Sequence, residues 1–232
     1  MATSYSPSIT TDGLVFCVDG KNTKSYSGSG STAKDVGGGL SGTITGATHS
    51  DGAFTFDGSD DNIDFGTNLG TLPENGYSVC SWVYPDTGMN NQPIVGTAST
   101  ANSPDLGFHM RILSNGKIRL ITLSSSGGYA GYDWRDTSDT ISTSSWSHMC
   151  GTYNASSRTT NLYLNGSSNQ DSNRNTGNIS DFNNTRTLKV GGSGGTNLVW
   201  DGKIAIVQLY NRELSATEIS QNFNAQRGRF RV

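Results

Sequence analysis

DGKIAIVQLYNRELSATEISQNF, residues 201–223, sets an apolar strand, a short polar corner and a capped helix in that order. Strand alternation over Lys203 to Tyr210 places Ile204, Ile206, Gln208 and Tyr210 on one face and Ala205, Val207 and Leu209 on the other. Both faces are nearly all apolar, as a strand buried within stacked sheets requires. Helix signals begin at Ser215. Its hydroxyl can cap the first turn, Glu218 three residues on can reach back to the cap's own N–H, and Leu214 can staple against Ile219. Ile219 and Phe223 then share one helix face. Everything upstream reads as strand, so the expectation is a lone helix closing an all-β chain.

The rest of the 232 residues agrees with that reading. Thirty glycines fall in turn signals such as GSGS at 28–31, GGG at 37–39, SSGG at 125–128 and GGSGG at 191–195, with short apolar runs between. This is the punctuation of a sandwich or jelly roll. No composition shift, proline-rich hinge or charge block divides the chain. One domain is expected over 11–232, preceded by a polar N-terminal arm at 1–10.

The start of the chain has no basic cluster, apolar core or small-residue cleavage site, and nowhere are there about 18 consecutive apolar residues. Neither a signal peptide nor membrane insertion is expected. A formal net charge of −3 with scattered Lys and Arg offers no broad basic face, which argues against nucleic acid as a partner. Cys17, Cys80 and Cys150 each sit mid-strand among apolar neighbours, where a free thiol packs as a small hydrophobe. Their odd number and the missing secretion signal favour three free thiols and folding in a reducing cytosol.

The segment quoted first resembles the closing strand and helix of the laminin-G-like branch of the concanavalin A-like lectin/glucanase superfamily, of the form G-K-I-x-x-V-x-x-Y followed by N-R-x-L-S-x-x-E-I. DGLVFCVDG at 12–20, FTFDGSDDNIDFG at 54–66, YSVCSWVYP at 77–85, WSHMCGTYN at 146–154 and TTNLYLNGS at 159–167 resemble further pieces of the family, in its order. The resemblance implies a two-sheet antiparallel jelly-roll sandwich with one short C-terminal helix. It implies core positions for Trp82 and Trp146 and a strand-start role for His148. It also raises a rival to the free thiols, a Cys80–Cys150 disulfide, since both replace small core residues of the family pattern on strands that could be neighbours. The ending N-x-x-R-G-R-F resembles those of laminin-G-like proteins in tailed-bacteriophage particles.

The fold carries lectins, hydrolases and structural modules alike, so chemistry has to be argued from residues. Glucanases of the superfamily use a strand bearing E-x-D-x-E, because cleaving a glycosidic bond needs two carboxyl groups facing each other across it. Here Glu74 lies in a turn, Glu213 in the corner, and Glu218 is committed to capping. The clusters Asp57-Asp60-Asp61-Asp64 and Asp133-Asp136-Asp139 lie mostly beside glycine or serine, as turn-forming residues do. The three histidines lack a nucleophile pattern. No catalytic residue is assigned, and the chain is not expected to be an enzyme.

Three candidate sites remain. Calcium takes six to eight oxygens, typically from turns, and Ser59-Asp60-Asp61-Asn62 resembles a pentraxin turn in which Asp61 and Asn62 match the first calcium ligands. The stretch 190–200, where the pentraxin site would be completed, holds no acid. The candidates are therefore Asp60, Asp61 and Asn62, or a weaker set drawing on Asp19, Asp57 or Asp60. For glycans, Tyr129, Tyr132 and Trp134 offer stacking faces, with Asp133, Arg135 and Asp136 as hydrogen-bonding neighbours. For partner docking, Arg227, Arg229, Phe230 and Arg231 form a basic tail, whose alternative role is to complement the helix dipole and close the sandwich edge.

The expectation for function is a non-enzymatic structural or attachment module of a virus particle: a phage capsid decoration, fibre or tail-associated protein. It would fold in the host cytoplasm, and its partners would be other virion proteins or copies of itself, with host-surface polysaccharide as a further contact. The alternative is a carbohydrate-binding lectin module outside a virion.

Overall fold

A computed structural model of the chain describes residues 8–67, 76–86, 91–97, 107–123, 132–172, 174–176, 187–192 and 199–232. In chain order the strands are β1 (Leu14–Asp19), β2 (Thr32–Lys34), β3 (Ser41–Thr45), β4 (Thr48–Ser50), β5 (Ala53–Asp57), β6 (Asn62–Asp64), β7 (Gly76–Pro85), β8 (Pro93–Gly96) and β9 (Gly107–Ile112). They continue with β10 (Ile118–Leu123), β11 (Tyr132–Asp136), β12 (Ser147–Asn154), β13 (Thr159–Leu164), β14 (Ser167–Ser168), β15 (Arg174–Thr176), β16 (Lys189–Val190) and β17 (Asp201–Tyr210), before helix α1 (Ala216–Gln226) and a short 3₁₀ turn at Arg227–Arg229. No helix among the described residues is long and apolar enough to cross a membrane.

The strands form two antiparallel sheets. The first runs β14-β13-β12-β7-β17-β5-β4, with β1 also paired to β17, and the second runs β15-β11-β10-β9-β8-β16-β6-β3-β2. Between them lies one apolar core, to which the first sheet gives Phe16, Phe54, Phe56, Tyr77 and Val79, and the second Ile63, Phe108, Met110, Ile118 and Leu120. All-β class, two-sheet sandwich and single C-terminal helix are as the sequence predicts.

The first sheet is covered on its other side too, by the helix. Trp82, Ala205, Ile206, Phe223 and Phe230 form one cluster there, and Cys80, Cys150, Tyr210, Leu214 and Ile219 another. This second covering explains why β7 is buried along nearly its whole length. The helix start is built as its sequence requires: Ser215 Oγ accepts from the Glu218 N–H, and the Glu218 carboxylate accepts from the Ser215 N–H at 2.9 Å. Arg212 clamps the same carboxylate at 2.6 Å. Below the helix, the Asn165-Gly166 turn between β13 and β14 has positive φ at both residues (50° and 78°), the geometry that favours this dipeptide. A Cβ at Gly166 would come within 2.8 Å of the Phe223 ring, so only glycine lets the turn pass under the helix.

Three expectations need correction. The strict alternation of β17 breaks at a register shift between Ile204 and Ile206. The extra residue of a bulge moves later side chains to the opposite face, so Ile204 joins Val207 and Leu209 in the inter-sheet core while Ala205 and Ile206 face the helix. Cys80 and Cys150 are not free: β7 and β12 are paired with these residues directly opposite, and a disulfide joins them. Cys17 alone remains a buried thiol, its pKa pushed up to about 12, chiefly by burial.

The third correction concerns the tail. Phe230 is buried, stacked on Trp82 at 4.0 Å between ring centroids and 4.8 Å from Trp146. Arg229 pairs with Asp19 at 2.5 Å and donates to the Gly52 carbonyl. Neither side chain is presented to a partner, because the tail folds back as the last piece of the outer cluster; Arg227 and Arg231 are exposed. The other end of the chain is tied to the same helix. Asn222 accepts from the Thr10 N–H at 2.7 Å, Gln221 donates to the Ser8 carbonyl at 2.7 Å, and Tyr210 donates to the Thr10 carbonyl at 3.0 Å.

Candidate functional site

The second sheet also has a face of β9, β10 and β11 turned away from the core, on which His109, Arg111, Ile121, Leu123 and Asp136 are buried, Arg119 and Trp134 half-buried and Tyr132 exposed. On the core side lie Phe108, Met110 and Ile112, then Ile118 and Leu120. Alternation therefore directs His109 and Arg111, then Arg119, Ile121 and Leu123, then Tyr132, Trp134 and Asp136 to the outer face. Strand register arranges them in rows: Arg111 opposite Arg119 opposite Asp136, and His109 opposite Ile121 opposite Trp134.

The rows interlock. Arg119 forms a bidentate pair with Asp136 at 2.6 and 2.8 Å, and its guanidinium lies 3.6 Å over the centre of the Trp134 ring. Ile121 and Leu123 pack against Trp134 as a small apolar patch separate from the main core. An aromatic plate held by a fixed cation, with apolar backing and charged edges, suits the stacking of a sugar ring with hydrogen bonds to its hydroxyls. Farther along the same face, Ser41, Thr43, Thr45, Asn62, Asp64 and Lys189 line an open polar groove of about 550 Å³, where Lys189 faces Asp64 at 3.5 Å.

Of the glycan candidates, Tyr132, partly exposed at 36%, and Trp134 share this face. Asp133 and Arg135 point the other way. Asp133 is completely buried, its carboxylate taken by Arg158 at 2.6 and 3.1 Å and by the Tyr153 hydroxyl at 2.9 Å. Arg135 donates to Asn161 of β13 at 3.3 Å. Both knit β11 to the first sheet, a role set by the two-residue period of the strand. Tyr129 lies outside the described residues. Asp136, named with them from the sequence, does share this face, where Arg119 holds it; His109, Arg111 and Arg119 were missed at the sequence level, although the alternation of GFHMRI and IRLITL marks all three as off the core face.

The calcium candidates regroup. Asp57, at the end of β5, joins Asp60 and Asp61 in the following turn, with carboxylate oxygens all within 4.8 Å of one another. Asp61 is buried (5% exposed) and accepts from the Asp57 N–H at 2.9 Å. Burial raises its pKa, and the neighbouring charges of Asp57 and Asp60 add to the shift. The Asn62 amide instead donates to the Asp60 carbonyl at 3.1 Å. Asp19 is engaged by Arg229 on the helix side.

The described glutamates are occupied. Glu213 accepts from Asn154 and Asn161 at 2.8 and 3.2 Å, and Glu218, its pKa lowered to about 2 chiefly by Arg212, closes the capping box. Glu74 lies outside the described residues.

The pattern defining the Laminin_G_3 family of the concanavalin A-like lectin/glucanases superfamily matches residues 56–220. No curated protein matches the sequence. Among solved structures, a Trypanosoma rangeli sialidase in complex with sialic acid superposes with a TM-score of 0.68 at 17% identity, over 93% of this chain and 33% of that one. The receptor-binding domain of botulinum neurotoxin C/D mosaic serotype gives 0.66 at 17% identity, over 94% of this chain and 52% of that one. Domain 4 of AbnA, a GH43 extracellular arabinanase from Geobacillus stearothermophilus, in complex with arabinotriose, gives 0.61 at 18% identity, over 90% of this chain and 97% of that one. The chain thus spans about a third of the sialidase's length, and at these identities the likeness is one of fold.

Proposed function

The chain belongs to the concanavalin A-like lectin/glucanases superfamily, and from that membership we propose that it is a non-enzymatic saccharide-binding module whose binding surface is the outer face of β9, β10 and β11. The observation that carries the reading is Trp134, fixed under the Arg119 guanidinium at 3.6 Å on a sheet face turned away from the core. The arabinotriose complex of AbnA domain 4, a related fold matched over 97% of its length, supports it. The non-enzymatic part rests on Glu213 and Glu218, whose carboxylates are committed to internal partners.

The module's setting is the finer part of the proposal: attachment to host-surface polysaccharide as part of a virus particle, such as a tailed phage, folded in the host cytoplasm before release. The chain ending 224–230, NAQRGRF, favours it by resemblance, and exposed Arg227 and Arg231 remain for other virion proteins. The disulfide suits a protein that works outside the cell, in a particle or as a free lectin. Stoichiometric presence in purified particles separates the two; its absence there, with glycan binding intact, would sink the virion setting.

Trp134→Ala is expected to weaken binding to whichever saccharides a glycan array identifies by at least about tenfold, as loss of a central aromatic contact does, while the far-ultraviolet spectrum is kept. Unchanged binding in that variant would place the site elsewhere. Calcium is the cofactor that Asp57, Asp60 and Asp61 would take. At a hundredfold excess over its dissociation constant it would stabilise the fold by about 2.7 kcal/mol, and Asp61→Asn should abolish that gain without lowering stability in chelator. A melting temperature indifferent to calcium would remove it from the account.

A further inference from the structure

Arg111 stands on the outer face of β9, opposite Pro93 of β8 on one side and Arg119 of β10 on the other. It is only 8% exposed, its Nε is buried without a hydrogen-bond partner, and no carboxylate pairs with it among the described residues. Asp136, whose charge acts on it from a distance, is held bidentately by Arg119. Beside it His109 is 3% exposed, with Nε2 also buried and unpartnered. Burial, with Arg111 and Arg119 adding to it, pushes the imidazole pKa down to about 3.

A guanidinium keeps its proton throughout the pH range of proteins, so burying one without a counter-ion costs several kcal/mol. The fold does not need it there, since Ile121 and Leu123 fill the neighbouring strand's positions on the same face with hydrocarbon. Two arginines against one aspartate also leave these rows net positive on a chain whose overall charge is −3. A buried cation without an anion, beside an orphaned imidazole nitrogen and within reach of an aromatic plate, is arranged for a ligand that brings the missing charge.

We propose that Arg111, with His109 beside it, anchors the carboxylate of an acidic oligosaccharide whose neighbouring sugar stacks on Trp134. This deepens the saccharide-binding reading and rests on it. Carboxylate is favoured because the planar fork of Arg111 matches its two oxygens. Two strand spacings, about 10 Å, separate β9 from β11, so the ligand spans more than one sugar unit.

The test is calorimetric titration of the full chain with oligogalacturonides, with the same chains after reduction of their carboxyl groups to neutral alcohols, and with sulfated dextran oligosaccharides. Oligogalacturonides should bind and the reduced chains should bind far less. Arg111→Met should weaken uronate binding about ten- to a hundredfold, the loss expected for a hydrogen bond to a charged group, and Arg111→Lys should lose less. Arg111→Met should also melt no lower than wild type, because it removes an unpaired buried charge. Equal binding of reduced and acidic chains, insensitive to Arg111→Met, would overturn the anion anchor and leave the saccharide reading standing. Binding of sulfated chains alone would overturn the choice of carboxylate. An Arg111→Met protein melting well below wild type would show a structural guanidinium and overturn the proposal. Failure of every saccharide, neutral or acidic, to bind would overturn the underlying reading as well.

Discussion

Phe230→Ala is expected to lower the unfolding free energy by about 3–5 kcal/mol, the usual cost of removing a buried aromatic side chain. Its ring stacks on Trp82 at 4.0 Å and 16°, Phe223 stacks on the same indole at 5.8 Å, and Trp146 closes from the side at 4.8 Å. Removing the ring opens a hole over a completely buried tryptophan. Deleting residues 227–232 should cost at least as much, because it also strips Arg229 from Asp19 and from the Gly52 carbonyl. Urea denaturation of both variants measures it. A loss below about 0.5 kcal/mol, the range of ordinary surface substitutions, would mean that the tail is loosely held and would restore it as a docking peptide.

Acidification should destabilise the protein well before its carboxylates titrate. His148 is completely buried against Trp82 and Phe223, with both ring nitrogens unpartnered, and burial pushes its pKa down to about 3 from an ordinary 6.5, as for His109. In the unfolded chain both rings take up protons near pH 6.5, whereas in the folded chain both stay neutral. The unfolded state therefore binds more protons over the window between about 3 and 6.5, and stability falls as pH falls through it. Each histidine contributes a slope approaching about 1.4 kcal/mol per pH unit. Glu218, depressed to about 2 from 4.5, adds its loss only at lower pH, and the raised pKa of Asp61 acts in the opposite direction, so a loss of stability from pH 6.5 to 5 comes from the histidines. Denaturant titrations across that interval should show the combined slope, and His148→Leu should roughly halve it. A flat profile would mean that both rings reach water in the folded protein.

Much of the fold could be read from short-range pattern. The Ser215–Glu218 capping box and the Leu214–Ile219 contact involve residues within five positions of each other, where local chemistry dominates. The bulge in β17 was not readable, since an inserted residue in an apolar strand carries no composition signal. The Cys80–Cys150 disulfide needed the register of β7 on β12, and the pairing of Arg229 and the burial of Phe230 needed partners, Asp19 and Trp82, far back along the chain. The candidate site divides along the same line. Tyr132 and Trp134 were legible as a stacking pair. Asp133 and Arg135 were grouped with them by adjacency, although neighbours on a strand face opposite sides, and alternation alone would have separated them. Arg111 was invisible because its significance is a missing partner, which only three-dimensional packing reveals.

The central claim is that saccharide binds the outer face of β9, β10 and β11. Its most direct test is a titration of nitrogen-labelled protein with oligogalacturonides followed by NMR. Binding on this face predicts that the Trp134 indole N–H and the amides of His109, Arg111, Ile121 and Leu123 move together with one saturation curve. Shifts confined to the Asp57–Asp61 turn or to the helix side, or no shifts at all, would contradict it.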